Sequence, residues 1–383
     1  MSIHGRKTVG FFSPMPPSRT GVADYSAALF EALGTYGAAS GQVARIEINP
    51  ATGDAALYHV GNNQLHRAIY DRAIALPGVT VLHDAVLQHF FLGTLDENQY
   101  CDEFVFNYGE WMRGLAQDLW RNRARSAADP RYFEYPMLKR IAEASRAIIV
   151  HNPAAARVVR RHAPNVAITE IPHLFVAPAW PEESEILRFR TELGVGPGTL
   201  LAGVFGHLRE SKRLPVVLRA FHRAVQAGAD AKLLVAGGFV SRDLERALTP
   251  RLTDSRIVRV GHLSEDDFWR YAAATDVCIN LRFPTAAESS GIAIRMMGAG
   301  KPVVFTAGEE IARIPENACL RVEMGALEEE MLSGYIAWLA SNRETARQIG
   351  CRAAAHIARY HAAEVVAKLY WDVLNAVLDA GPA

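Results

Sequence analysis

The residues best suited to chemistry lie in 280–306, NLRFPTAAESSGIAIRMMGAGKPVVFT. An apolar run ending in Cys278, Ile279 and Leu281 predicts a buried strand; after a polar loop a helix opens at Glu288-Ser289-Ser290-Gly291 and closes on Gly298 and Gly300, before a second strand. At such a helix start the first N–H groups (Ser289 to Ile292) lack intrahelical acceptors and point together along the positive end of the helix dipole, and Ser and Gly leave the approach open. A diphosphate fits those donors. Glu288, just before them, would repel a phosphate but can accept hydrogen bonds from the hydroxyls of an attached sugar. The stretch alone fits a sugar-nucleotide site or an ordinary N-cap cluster of an α/β domain.

Three other stretches carry comparable chemistry. The loop after residues 200–205, Gly206-His207-Leu208-Arg209-Glu210-Ser211-Lys212-Arg213, offers Lys212 and Arg209 to neutralise a leaving phosphate, or is a solvated basic loop. His83 directly follows the apolar VTVL, where a histidine either meets a ligand or bonds a neighbouring carbonyl; His66 and His89 lie on helical segments and are weaker candidates. Gly21, within PPSRTGVADYS, lets backbone approach a ligand closely or belongs to a plain proline-rich turn before a helix.

The elements that must position these residues show a regular rhythm. Residues 9–12, 43–48, 57–60 and 79–82 are short apolar runs rich in β-branched side chains, with LHRAIYDRAIA helical between the last two and a helix over about 22–33. Runs at 147–150 and 168–171 follow, with His151-Asn152-Pro153 starting another helix. Strand and helix in alternation predict a parallel sheet covered by helices, with ligands at the carboxyl ends of the strands: 14–21, 61–63 and 83–84. Residues 96–135 are helical and aromatic, as core or as the lining of an acceptor groove. After a linker at 172–181 the pattern restarts: helix 182–193, strand 200–205, helix 215–227, strands 233–236 and 257–260, a strand to Val322, and helices over 327–380. The expected domains are 1–176 and 177–360, with a final helix at about 361–383, whose residues 361–378 carry an apolar face, packing back on the first.

Residues 261–306 resemble the donor-binding half of retaining glycosyltransferases of the GT-B fold, the glycosyl transferases group 1 (family 4-like) superfamily, whose motif is a Glu, seven residues and a second Glu. Residues 58–91 resemble one subgroup of it, and PPSRTGVADYS is similar to its amino-terminal glycine loop. Glu288 matches the first Glu. The second has no counterpart: eight positions on lies Met296, and alignment back from Gly300 and Pro302 puts Arg295 in the slot, where it would bond ribose or phosphate oxygens or remain a surface arginine. The resemblance implies two facing Rossmann-like domains with an interdomain cleft, a nucleotide-sugar donor such as a UDP- or GDP-sugar, and transfer to a hydroxyl of a glycan, lipid-linked or small-molecule acceptor. It implies no bound metal and no cofactor beyond that co-substrate. It also implies that His83 reaches the transferring sugar, that Lys212 neutralises the diphosphate with Arg209 in support where His207 replaces a usual arginine, and that the corners at Gly237 and Leu263 hold the base by backbone contacts. The mechanism implied is front-face, the leaving phosphate taking the acceptor proton. A weak or inactive glycan- or nucleotide-binding relative, a sugar-nucleotide epimerase and a ligand-free scaffold are the competing expectations.

Composition narrows the classes. The chain has 383 residues, half of them apolar, enough for two cored domains, and a formal net charge of zero argues against nucleic-acid binding through backbone neutralisation. Cys101, Cys278, Cys319 and Cys351 lie far apart, which suggests neither a zinc site nor a disulfide framework and fits a reducing cytoplasm. No signal peptide is expected at the amino terminus and no apolar run is long enough to span a membrane, so any membrane contact would be peripheral.

Overall fold

Strands covered on both faces need uninterrupted apolar runs, and the computed structural model, which describes residues 7–18 and 20–381, has parallel strands at the runs named above. The first six residues of the amino-terminal segment and Arg19 of the Gly21 loop lie outside it. The described chain divides into two compact units. One comprises the residues up to Val176, Thr285–Ser289 and those from Tyr360 on; the other comprises Ala177–Pro284 and Ser290–Arg359. One part of the expected division therefore needs correcting: five residues around Glu288 fold with the first unit although the chain on either side belongs to the second.

In the first unit β1 (Thr8–Phe12), β2 (Arg45–Ile48), β3 (Ala55–Val60), β4 (Val79–Leu82), β5 (Ala147–Val150) and β6 (Ile168–Glu170) form a six-stranded parallel sheet in the order β2-β1-β3-β4-β5-β6. Alternate residues face opposite ways. Val9, Phe11, Leu57, Val79, Val81 and Ile149 pack against helix Gly21–Ala39 and the last helix, Ala363–Asp379. Phe12, Tyr58, Val60, Leu82, Ile148 and Val150 pack against the helices on the other face. The helix at Gly21 runs six residues beyond the expected stop near Leu33, because Tyr36 and Gly37 continue the face that meets the last helix. That last helix is anchored by the Trp371 Nε1 hydrogen bond to the Leu33 carbonyl (3.0 Å) and by the Tyr25 and Tyr370 hydroxyls (2.9 Å). Of the aromatic segment, Tyr100, Phe104 and Tyr132 are core, whereas Trp111 is 82% exposed.

In the second unit β7 (Leu200–Phe205), β8 (Ala231–Ala236), β9 (Ile257–Val260), β10 (Val277–Asn280), β11 (Val303–Thr306) and β12 (Leu320–Val322) pair in parallel in the order β12-β11-β10-β7-β8-β9. This is the doubly wound order of a Rossmann sheet. Strand order reverses between β1 and β3 in the first unit and between β7 and β10 in the second, and ligands of such sheets bind where these strands end. No helix of the described residues is long and apolar enough to cross a membrane.

Candidate active site

In the second unit the chain leaves β10 and enters helix Gly291–Gly298 with Ser290 as its N-cap. The Ser290 hydroxyl accepts the Ala293 amide (3.3 Å) and the Arg282 guanidinium (3.2 Å) and lies 3.1 Å from Asn280 Oδ1. The helix thus begins two residues later than Ser289, and of its first three amides, which lie outside the intrahelical ladder, that of Ala293 is capped by Ser290, leaving those of Gly291 and Ile292. Ser289 supplies no helical donor.

Beside that helix start lies the end of β7. Gly206 has φ +84° and Gly237, at the end of β8, has φ +150°. A methyl on Gly237 would sit 2.1 Å from the Gly206 carbonyl oxygen, so only glycine lets the two strand ends run on together; the pairing continues as Gly206 N–H to Ala236 O (2.9 Å) and Leu208 N–H to Gly238 O (2.8 Å). A methyl on Gly206 would lie 3.5 Å from Lys212 Nζ and 3.5 Å from Ile292 Cγ1, which places the ammonium and the helix start around one glycine. Lys212 is only 7% exposed and donates to the Phe205 carbonyl. His207 and Arg209 are exposed on the same loop. Although the residue is exposed overall, partial desolvation of its ring, then the neighbouring Arg209 charge, holds the His207 imidazole below its ordinary pKa. Gly237 accepts from Arg259 through its carbonyl (2.7 Å) and donates to Val260 (3.0 Å), and Leu263 is half-buried beyond β9.

The two residues competing for the missing Glu position are separated by burial. Met296 is wholly buried. Arg295 stacks its guanidinium over Phe268 (3.8 Å) and Trp269 (4.5 Å) and donates to Glu265 Oε1 (2.5 Å), which also accepts from Trp269 Nε1 (2.7 Å). Arg295 is thus committed to a local ion pair, a partner thirty positions away that the sequence pattern did not suggest.

In the first unit Glu288 is half-buried and folds onto its own loop: Oε2 accepts the Ala286 amide (2.8 Å) and the Thr285 hydroxyl (3.0 Å). The loop is pinned at both edges. The Ala85 amide, two residues beyond His83, donates to the Ala286 carbonyl (2.8 Å). Asn152 Nδ2 donates to the Ala287 carbonyl (2.9 Å) and the Ser289 hydroxyl (3.1 Å), while Asn152 Oδ1 caps helix Pro153–His162 at the Ala155 amide. The Ser289 hydroxyl in turn donates to the His151 carbonyl (3.2 Å). Glu288 is therefore brought beside the strand ends that carry His83 and His151. Asn152 was legible only as a helix cap.

His83 extends β4 by donating its amide to Val60 (2.9 Å), and its ring joins a cluster. His83 Nε2 is 2.9 Å from His59 Nδ1 with the rings stacked at 24°; His151 and Tyr25 lie 5.2 and 5.1 Å away between centroids. Burial drives His59 and His83 well below the ordinary histidine range and His66 and His151 to about 4. The cluster is neutral at pH 7. His89 is half-buried, with Nδ1 3.2 Å from Asn62 Nδ2. Gly21 is exposed at a helix start, and a methyl there would meet nothing within 4 Å. Among the described residues no group of three or more His, Cys, Asp or Glu side chains is disposed to hold a metal ion.

Residues 199–341 match the family model described as Glycosyl transferases group 1. No curated protein matches the chain. Among solved structures, Anabaena HepE in complex with UDP and glucose superposes with a TM-score of 0.65 at 14% identity, over 97% of this chain and 100% of that one. Sucrose-phosphate synthase from Thermosynechococcus elongatus gives 0.65 at 15% identity over 98% and 100%. WaaG, a glycosyltransferase involved in lipopolysaccharide biosynthesis, gives 0.59 at 13% identity over 96% and 99%.

Proposed function

From a chain that carries a glycosyl transferases group 1 domain within the GT-B fold, we propose a retaining hexosyltransferase that moves a sugar from a nucleotide-sugar donor to an acceptor hydroxyl. The observation that carries this reading is the approach of the Lys212 ammonium and of the Ile292 side chain, in the first turn of helix Gly291–Gly298, to Gly206. Cleavage of the anomeric bond builds negative charge on the β-phosphate, and a buried ammonium with aligned amides is suited to hold it without reorganisation. Arg209, exposed on the same loop, adds charge; Gly237 and Leu263 supply backbone to the base; Gly21 lets the chain approach the ligand.

Glu288 and His83 are assigned to the sugar. The carboxylate accepts from sugar hydroxyls, and the imidazole hydrogen-bonds a sugar oxygen. No side-chain nucleophile is assigned; the departing phosphate takes the acceptor proton, and no metal takes part. The acceptor class is a glycan, a lipid-linked glycan or a small hydroxylated molecule. UDP is the first nucleotide to test, because HepE and other structural relatives were solved with it.

Calorimetric titration with UDP, GDP and their sugars tests the proposal. One nucleotide binds, and Lys212→Ala weakens it and lowers turnover by about 10²–10³-fold, the usual cost of one donor to a developing oxyanion. Failure of every nucleotide to bind would end the reading. The Arg295–Glu265 pair, in place of a free acidic side chain, favours one alternative, a catalytically weak nucleotide-binding protein; it predicts binding without donor hydrolysis or transfer.

A further inference from the structure

We infer that His59 is a positioning residue that fixes His83 as the Nδ1–H tautomer, so that the face of His83 turned away from His59 is a hydrogen-bond donor. The inference deepens the assignment of His83 to a sugar oxygen and rests on that reading for its role, though not for its geometry.

The tautomers follow from counting donors. His66 Nδ1 faces the His59 carbonyl (2.9 Å) and His151 Nδ1 faces the Ile171 carbonyl (2.9 Å). A carbonyl only accepts, so both rings carry their proton on Nδ1 and leave Nε2 bare. Both Nε2 atoms are buried without a partner. His59 is fully buried and its Nε2 is likewise unpartnered, so the question is which proton lies between its Nδ1 and His83 Nε2. If His83 donates, the His59 proton sits on Nε2 as a buried, unmet N–H. If His59 donates, Nε2 is only an unmet acceptor, as in His66 and His151. Orphaned buried N–H groups are the rarer and costlier fault, so His59 donates.

The lone pair of His83 Nε2 is then consumed, and its proton sits on Nδ1. That nitrogen has no protein partner among the described residues and belongs to a half-buried ring. Tyr25 and His151 pack against the ring, and the Tyr25 hydroxyl is already paired with Tyr370. A neutral imidazole held this way donates to a sugar oxygen and cannot accept a proton on its open side. It is a positioned donor rather than a general base.

Nitrogen-15 NMR of the full chain labelled in its histidine rings reads the tautomer directly. At pH 7.5 the signals lost in His83→Gln should show the Nδ1–H pattern. They should persist in His59→Gln, whose amide can still donate, and move toward the Nε2–H pattern in His59→Leu. An Nε2–H pattern in the unaltered protein, or one unchanged in a folded His59→Leu, overturns the inference; if His59→Leu does not fold, the first spectrum still decides. The measurement needs no turnover, so an absence of glycosyl transfer would remove the sugar as partner and leave the tautomer to stand or fall by itself.

Discussion

The buried histidines of the first unit make its stability depend on pH in a window where few other groups titrate. His66 and His151 are held near pKa 4 by burial, against 6.5 for an exposed histidine. The unfolded chain therefore binds protons that the folded chain refuses. Stability is fully present above about pH 6.5 and is lost as pH falls toward 4. With about 1.36 kcal/mol per pKa unit, each of these two groups removes roughly 1.8 kcal/mol between pH 7 and pH 5, nearly 4 kcal/mol for the pair. His59 and His83, held well below the ordinary range by burial, and His162, also lowered by burial, add in the same direction. Carboxylates with unfolded values near 4 contribute little above pH 5, so the window isolates the histidines. Urea unfolding at pH 7, 6 and 5, followed by hydrogen exchange of β3 to β5, reports the first unit by itself. His66→Asn, whose amide can keep the bond to the His59 carbonyl, should flatten the profile by about 1.8 kcal/mol. A loss below about 1 kcal/mol in the unaltered protein, or a variant profile parallel to it, would refute the argument from burial.

Two further outcomes are expected. Gly237→Ala, at φ +150° with 2.1 Å to a backbone oxygen, should destabilise the second unit by about 2–3 kcal/mol, seen as a lower Tm without ligand, whereas Gly21→Ala should leave Tm unchanged and any effect should fall on nucleotide binding. Asn152→Ala removes a helix cap and two bonds to the 285–289 loop, so stability should drop by about 1–3 kcal/mol and amide exchange at Ala286 and Ala287 should accelerate more than in the core of β5.

What the sequence disclosed was whatever is local. Strands buried on both faces read as apolar runs, and a serine before a glycine-led helix reads as a cap, so β10 and the helix after it were found nearly to the residue. Lys212 and the helix start were both selected, but their approach to one glycine depends on two strands adjacent in space and far apart in sequence. His59 escaped notice because it sits inside β3, where period-two patterning assigns a side chain to a face without naming what it meets there. Arg295 was ambiguous until Glu265 appeared across two helices; a long side chain chooses among partners that composition cannot rank.

The five residues from Thr285 to Ser289 also set a limit on how this protein can be recombined. The second unit is not one uninterrupted stretch of gene: replacing residues 177–359 wholesale with those of a relative would also exchange the piece whose carbonyls answer to Ala85 and Asn152. Hybrids should therefore tolerate a graft only where the incoming loop still offers small residues at 286 and 287 and a hydroxyl at 289, so compatibility between parents is decided by a handful of atoms rather than by overall similarity.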